Sequence, residues 1–173
     1  MRLERWRIVF IAVAYNLLFE YSTRSIHDLA IRPLLLIFLF LVYFSFFTII
    51  EDFIMRFKPR DYHVACLIVI LSLIYSIFFL PGSYLFMPPF FLGINWLHLV
   101  WVNVCWWAFT QTLLALYIAN RISPRKWDSP LLSRKGLIGA VLLYIFAGIP
   151  FRRGIKYPEV SPKGIMIIII III

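Results

Sequence analysis

Apolar residues come in long blocks along this chain, and charged residues are confined to the short segments between them. The longest block decides the class. Residues 62–120 hold no Asp, Glu, Lys or Arg. As one helix those 59 residues would extend roughly 90 Å at about 1.5 Å per residue. A bilayer's hydrocarbon core is about 30 Å thick. The block must therefore cross twice and turn near its middle, where Pro81-Gly82 and Pro88-Pro89 stand.

The same pattern predicts the other spans. Ile8–Phe19 is apolar but covers only about 18 Å as a helix. Span 1 is therefore expected to continue through Glu20 and Arg24 to about residue 30, stopping before Pro33 because proline disfavours helix in the residue before it. Span 2 is Pro33–Ile50, followed by Glu51-Asp52 and the basic turn at Arg56, Lys58 and Arg60. Span 3 is expected at 63–80 and span 4 at 90–120, with the aromatic connection 81–89 at the membrane interface. Span 5 is expected at 136–151. Gly136, Ala140, Ala147 and Gly148 lie on it at spacings that favour close helix approach. The tail 164–173 ends in seven isoleucines. Its apolar part is too short to cross as a helix. It reads as a plug at the interface, the beginning of a sixth span, or a misassigned stretch of sequence. The first apolar block lacks a small-residue cleavage site and runs into Glu20, so it reads as a retained span.

Composition agrees with a membrane class. The 173 residues are 63% hydrophobic and 18% aromatic, with a mean hydropathy of +0.92. A soluble domain is roughly 45–50% apolar. The net charge of +9 lies at span ends, where it orients a membrane protein and holds it to anionic headgroups; a nucleic-acid partner is not expected. With the N-terminus inside, eleven Lys and Arg fall on inner segments, at 2, 5, 7, 56, 58, 60, 121, 125, 126, 134 and 135. Six fall outside, at 24, 32, 152, 153, 156 and 163. The expectation is an all-α, polytopic transmembrane helical bundle of five spans, a sixth being left open by the tail. Its N-terminus is cytoplasmic and it resides in the cell membrane.

Two places can carry chemistry. At the outer end of span 1, Asn16, Glu20, Arg24, His27 and Asp28 recur every three or four residues and share a helix face. Glu20, Arg24, Asp28 and Arg32 form a ladder of alternating charge. The plain reading is a salt-bridged helix end. The functional one is a polar site, with Glu20 at membrane depth, since ionisable groups there often mark substrate or proton paths. In span 4, a helical period puts Trp96, Asn103, Trp107, Thr110 and Gln111 on one face and His98, Trp101, Cys105 and Thr112 opposite. Polar groups on two faces place this span centrally in the bundle. They serve either interhelical hydrogen bonds or the wall of an amphipathic ligand pocket.

No cofactor is expected. His27 and His98 are the pair that would ligate haem iron or another metal, though their spacing adds nothing to that reading. Asp52 and Arg56 form an ordinary i,i+4 pair. Cys66 and Cys105 read as single buried thiols. The chain has no HExxH, GxSxG, P-loop or dinucleotide fingerprint, and no internal repeat. The leading expectation is a non-catalytic accessory or structural subunit of a membrane complex, with membrane lipids and other integral membrane subunits as partners. The rivals are a small-molecule or lipid binding or transport component, with Asn16, Glu20, Arg24, His27, Asp28, His98, Asn103, Trp107 and Gln111 around its site, and a membrane enzyme acting on a lipid.

Overall fold

A computed structural model describes residues 3–23, 33–79, 91, 95–125 and 129–153. Among these, five helices form and no strand does. A short 3-10 turn, Leu3–Trp6, leads into α1, Arg7–Thr23. Then come α2, Pro33–Phe57, and α3, Asp61–Phe79. The fourth, α4, is Trp96–Ile122, and α5 is Arg134–Arg153. The expected continuation of span 1 to residue 30, the connection at 81–89 and the tail at 164–173 lie outside the described residues.

Local chemistry explains the helix ends. Pro33 opens α2, where its missing N–H costs nothing. At the other end Lys58 adopts a positive φ of 46°, its N–H donates to the Ile54 carbonyl, and Pro59 follows. That is a left-handed stop backed by a residue that cannot continue the helix. Asn95 caps α4 by accepting from the His98 N–H at 2.9 Å. Ser133 does the same for α5, accepting from the Gly136 N–H at 3.1 Å.

Two boundaries differ from expectation. Span 2 does not stop at Ile50: α2 runs on to Phe57 and keeps Glu51 and Asp52 inside it. Both carboxylates are buried, because their partners come from the α4–α5 connection and from Arg56. Helix α4 begins at Trp96 rather than near residue 90, where the Asn95 cap fixes its start.

The helices pack as a ring in the order α1, α2, α5, α3, α4, with α4 returning to α1. Rings fill its centre. Trp107 of α4 contacts Tyr43 of α2 at 6.3 Å and Tyr75 of α3 at 5.2 Å. Tyr75 meets Tyr144 of α5 at 5.6 Å, and Tyr144 stacks on Phe46 of α2 at 5.8 Å. Ala147 and Gly148 are buried on the inner side of α5 and serve packing within the chain, whereas Gly136 and Ala140 are half-buried.

The opposite face of α5 points outward and is apolar. Ile138, Leu142 and Phe146 are each 61% exposed. Helices α2 and α4 are long and apolar enough to cross a membrane by length and composition, and Asp61–Ser76 is a shorter apolar stretch. Helix α1 spans 17 residues and carries Asn16 and Glu20 within them, so it falls short of the same test.

Candidate functional site in the bundle interior

One end of the bundle is tied by charge. Arg125, just after α4, grips Glu51 of α2 with two bonds of 2.8 Å. Asp52 accepts from Arg56 Nε at 3.0 Å and from the Leu132 N–H at 2.8 Å, while Arg56 donates to the Leu132 carbonyl at 2.9 Å. Arg5 donates to the Ser129 carbonyl at 2.8 Å and to its hydroxyl at 2.9 Å. The N-terminal turn, the end of α2 and the α4–α5 connection therefore meet at one end. That grouping matches the inner segments counted from Lys and Arg. The Asp52–Arg56 pair is more than a solvated surface pair, since Asp52 is buried and holds the start of α5 in place.

Deeper in the bundle lies a second polar group, drawn from α1, α2 and α4. Glu20 is only 2% exposed. Its Oε1 accepts from the Tyr43 hydroxyl and from Gln111 Nε2, both at 2.8 Å. Gln111 Nε2 also donates to the Tyr43 oxygen at 3.3 Å. Asn16, one turn before Glu20, is fully buried and donates to the Gln111 carbonyl at 2.6 Å and to the Ala12 carbonyl at 3.1 Å. Tyr43, Gln111 Nε2 and Glu20 Oε1 thus form a closed triangle of hydrogen bonds, with Asn16 tied to the backbone beside it. Two buried acceptors in the group have no donor, Asn16 Oδ1 and Gln111 Oε1.

The backbone of α4 sets this arrangement. From Trp101 to Leu113 it is a π-helix, closing i→i+5 bonds. Such a segment has more than four residues per turn instead of 3.6. Within that segment the buried positions recur every four residues, at Asn103, Trp107 and Gln111, with Ala108 and Thr112 buried beside the last two. Side chains follow the wider turn: the Thr110 hydroxyl donates to the Cys105 carbonyl at 2.9 Å and the Thr112 hydroxyl to the Trp107 carbonyl at 2.8 Å, five residues back in each case. Thr112, placed opposite Gln111 by a 3.6-residue period, is instead 1% exposed beside it. π-segments are rare and are frequent at functional sites.

The residues singled out in sequence separate into three sets. Asn16, Glu20 and Gln111 come together. Asn103 and Trp107 are buried on the same stripe but serve other partners. Asn103 accepts from the Ser76 hydroxyl of α3 at 2.6 Å and donates to the Leu99 carbonyl, and Trp107 lies among the central rings. His98 is half-buried in the first turn of α4. Arg24, His27 and Asp28 lie outside the described residues. Among the described residues no three His, Cys, Asp or Glu side chains gather as a metal site would require. Cys66 is exposed and Cys105 half-buried.

Sequence reasoning missed Tyr43, Ser76 and the Glu51–Arg125 pair. The two hydroxyls stand inside apolar blocks with no charged neighbour, although Ser72 four residues before Ser76 marks a shared face that could have been read, whereas Glu51 and Arg125 were legible as charges but not as each other's partners. No protein-family model matches the chain, and no curated protein or solved structure shows significant similarity to it.

Proposed function

We propose that this chain is a multi-pass integral protein of the cell membrane that acts as a non-catalytic accessory or structural subunit of a larger membrane complex. All five helices cross in this reading, with the charge-tied end in the cytoplasm. One observation carries it. Interior polar side chains of α1, α2 and α4 bond across the helices, to one another and to backbone, while α5 turns an apolar face outward. Groups arranged in this way hold helices in register, at about 0.6–2 kcal/mol per interhelical bond. The outward face of α5 needs lipid or another subunit to cover it, since apolar patches of this kind mark contact surfaces.

A second reading is a component that binds or moves a small molecule or lipid between α1 and α4. The π-segment beside Glu20 and the two donorless amide oxygens favour it.

Purification from native membranes in mild detergent, followed by native mass spectrometry and a visible spectrum, separates the two. The subunit reading expects integral membrane partners at fixed stoichiometry and no chromophore. A lone chain retaining a small molecule, a lipid or haem would overturn it.

A further inference from the structure

Three arginines tie the charged end of the bundle, and they are not equivalent. Arg56 and Arg125 each meet a carboxylate, Asp52 and Glu51. Arg5 pairs with no carboxylate among the described residues, the adjacent Glu4 included. Its bonds all leave from Nη2 and all reach neutral oxygens: the Ser129 carbonyl, the Ser129 hydroxyl and the Pro130 carbonyl. A guanidinium has five N–H groups. Here Nε is buried without an acceptor, and Nη1 bonds to no protein group among the described residues. The positive charge is therefore held in place but not neutralised. Beside it, 2.9 Å from Nη2, the Ser129 hydroxyl is exposed and gives its own hydrogen to no described residue. A cationic donor and a neutral donor stand side by side at the surface, a pairing that suits phosphate oxygens.

An apolar strip begins next to this pair. Trp6, the neighbour of Arg5, stacks on Phe44 of α2 at 5.6 Å. Phe44 also meets Phe10 of α1 at 5.7 Å and stacks on Phe40 at 5.8 Å. Phe10 is 46% exposed and the other three rings are half-buried. Phe44 and Phe40 lie about two and three helical turns before Glu51, the residue of α2 that Arg125 grips. The strip thus leads from the charged end toward mid-bundle along the α1–α2 seam. We propose that this corner binds one anionic phospholipid of the cytoplasmic leaflet. Arg5 and Ser129 hold its phosphate oxygens, and an acyl chain lies along Phe10, Phe44 and Phe40. A headgroup without an ammonium fits best, because Arg5 is the uncompensated charge and a zwitterionic lipid would bring a cation of its own. The inference rests on the membrane reading above and gives that chain a lipid partner at a defined place.

The test titrates the full chain in detergent micelles with phosphatidylglycerol or with phosphatidylcholine of the same acyl chains, and native mass spectrometry counts the lipids bound. The expected result is one phosphatidylglycerol held about fivefold more tightly than phosphatidylcholine, the ratio that one basic residue supplies at a membrane surface. Arg5→Gln should abolish that preference. Arg60→Gln removes the same charge from an exposed position at the same end, and should leave the preference within about twofold of wild type. Because Arg5 also anchors the α4–α5 connection, Ser129→Ala is the second variant. It keeps both carbonyl bonds and should weaken phosphatidylglycerol about threefold. Equal affinity for the two lipids overturns the proposal. So does an equal loss in Arg60→Gln and Arg5→Gln, which would mean diffuse attraction, and so does unchanged affinity in Ser129→Ala. Displacement of the lipid by inorganic phosphate would also overturn it, since the site would then serve a free anion. The isolated chain is measured, so a lack of partner subunits, which would sink the subunit reading, leaves this outcome unaffected.

Discussion

Replacing Gln111 by Leu tests whether the interior polar group holds the helices together. The substitution roughly keeps volume and removes the amide nitrogen that donates to Glu20 Oε1 at 2.8 Å and, at 3.3 Å, to the Tyr43 oxygen. Interhelical side-chain bonds in membranes average about 0.6 kcal/mol and reach about 1.7. The longer bond belongs at the low end, so the pair contributes about 1–2 kcal/mol. Glu20 keeps the Tyr43 hydroxyl but loses a donor in a buried position, which adds about 1–3 kcal/mol. Losing the donorless Gln111 Oε1 gives back about 1 kcal/mol. The net expectation is a loss of about 1–4 kcal/mol. Reversible unfolding in mixed micelles, driven by rising SDS fraction and read by circular dichroism, measures it. Thr110→Val is the control, since its hydroxyl bonds only within α4, and it should cost less than about 0.5 kcal/mol. A Gln111→Leu protein within about 0.5 kcal/mol of wild type would refute the reasoning.

Three further outcomes follow from the same structure. Arg125→Met should cost about 3–5 kcal/mol by stranding buried Glu51, and the double replacement with Glu51→Leu should recover most of that loss in the same unfolding assay. Leu142→Arg, on the outward face of α5, should reduce the yield of membrane-inserted protein, because a mid-helix arginine costs about 2.5–3.5 kcal/mol in hydrocarbon; unchanged yield would mean that this face meets water. Glu20→Gln should alter stability or assembly and leave the activity of the native complex intact, whereas abolition of that activity would favour the binding or transport reading.

The blocks of apolar sequence placed all five helices, and where Pro33 opens α2 and Pro59 follows its stop the signal read from sequence also acts in the fold. The face shared by Asn16 and Glu20 was legible because α1 keeps the ordinary helical period there. On α4 the same period failed. The π-segment widens the turn, and Thr112 moves to the buried side with Gln111. Nothing in the local residues announces a π-helix; it appears where α4 packs on α3 and on α1. Glu51 and Asp52 read as the start of a loop because their main partners lie more than 70 residues ahead. A sequence pattern shows where charge sits, and only the fold shows which charge neutralises it. Tyr43 gave no signal for the opposite reason. A tyrosine within a run of Leu, Phe and Val is indistinguishable from core until a carboxylate on another helix meets its hydroxyl.

The central claim is that these helices cross a membrane with the charge-tied end inside. Single cysteines at Glu4, Lys58, Ser133 and Phe91, all exposed positions at helix ends, test it in a background where Cys66 and Cys105 are replaced. Cells are treated with a membrane-impermeant maleimide before and after permeabilisation. The account predicts that position 91 labels in intact cells, while 4, 58 and 133 label only once the membrane is opened. Labelling of 91 and 58 from the same side, or release of the protein from membranes by an alkaline wash, would contradict it.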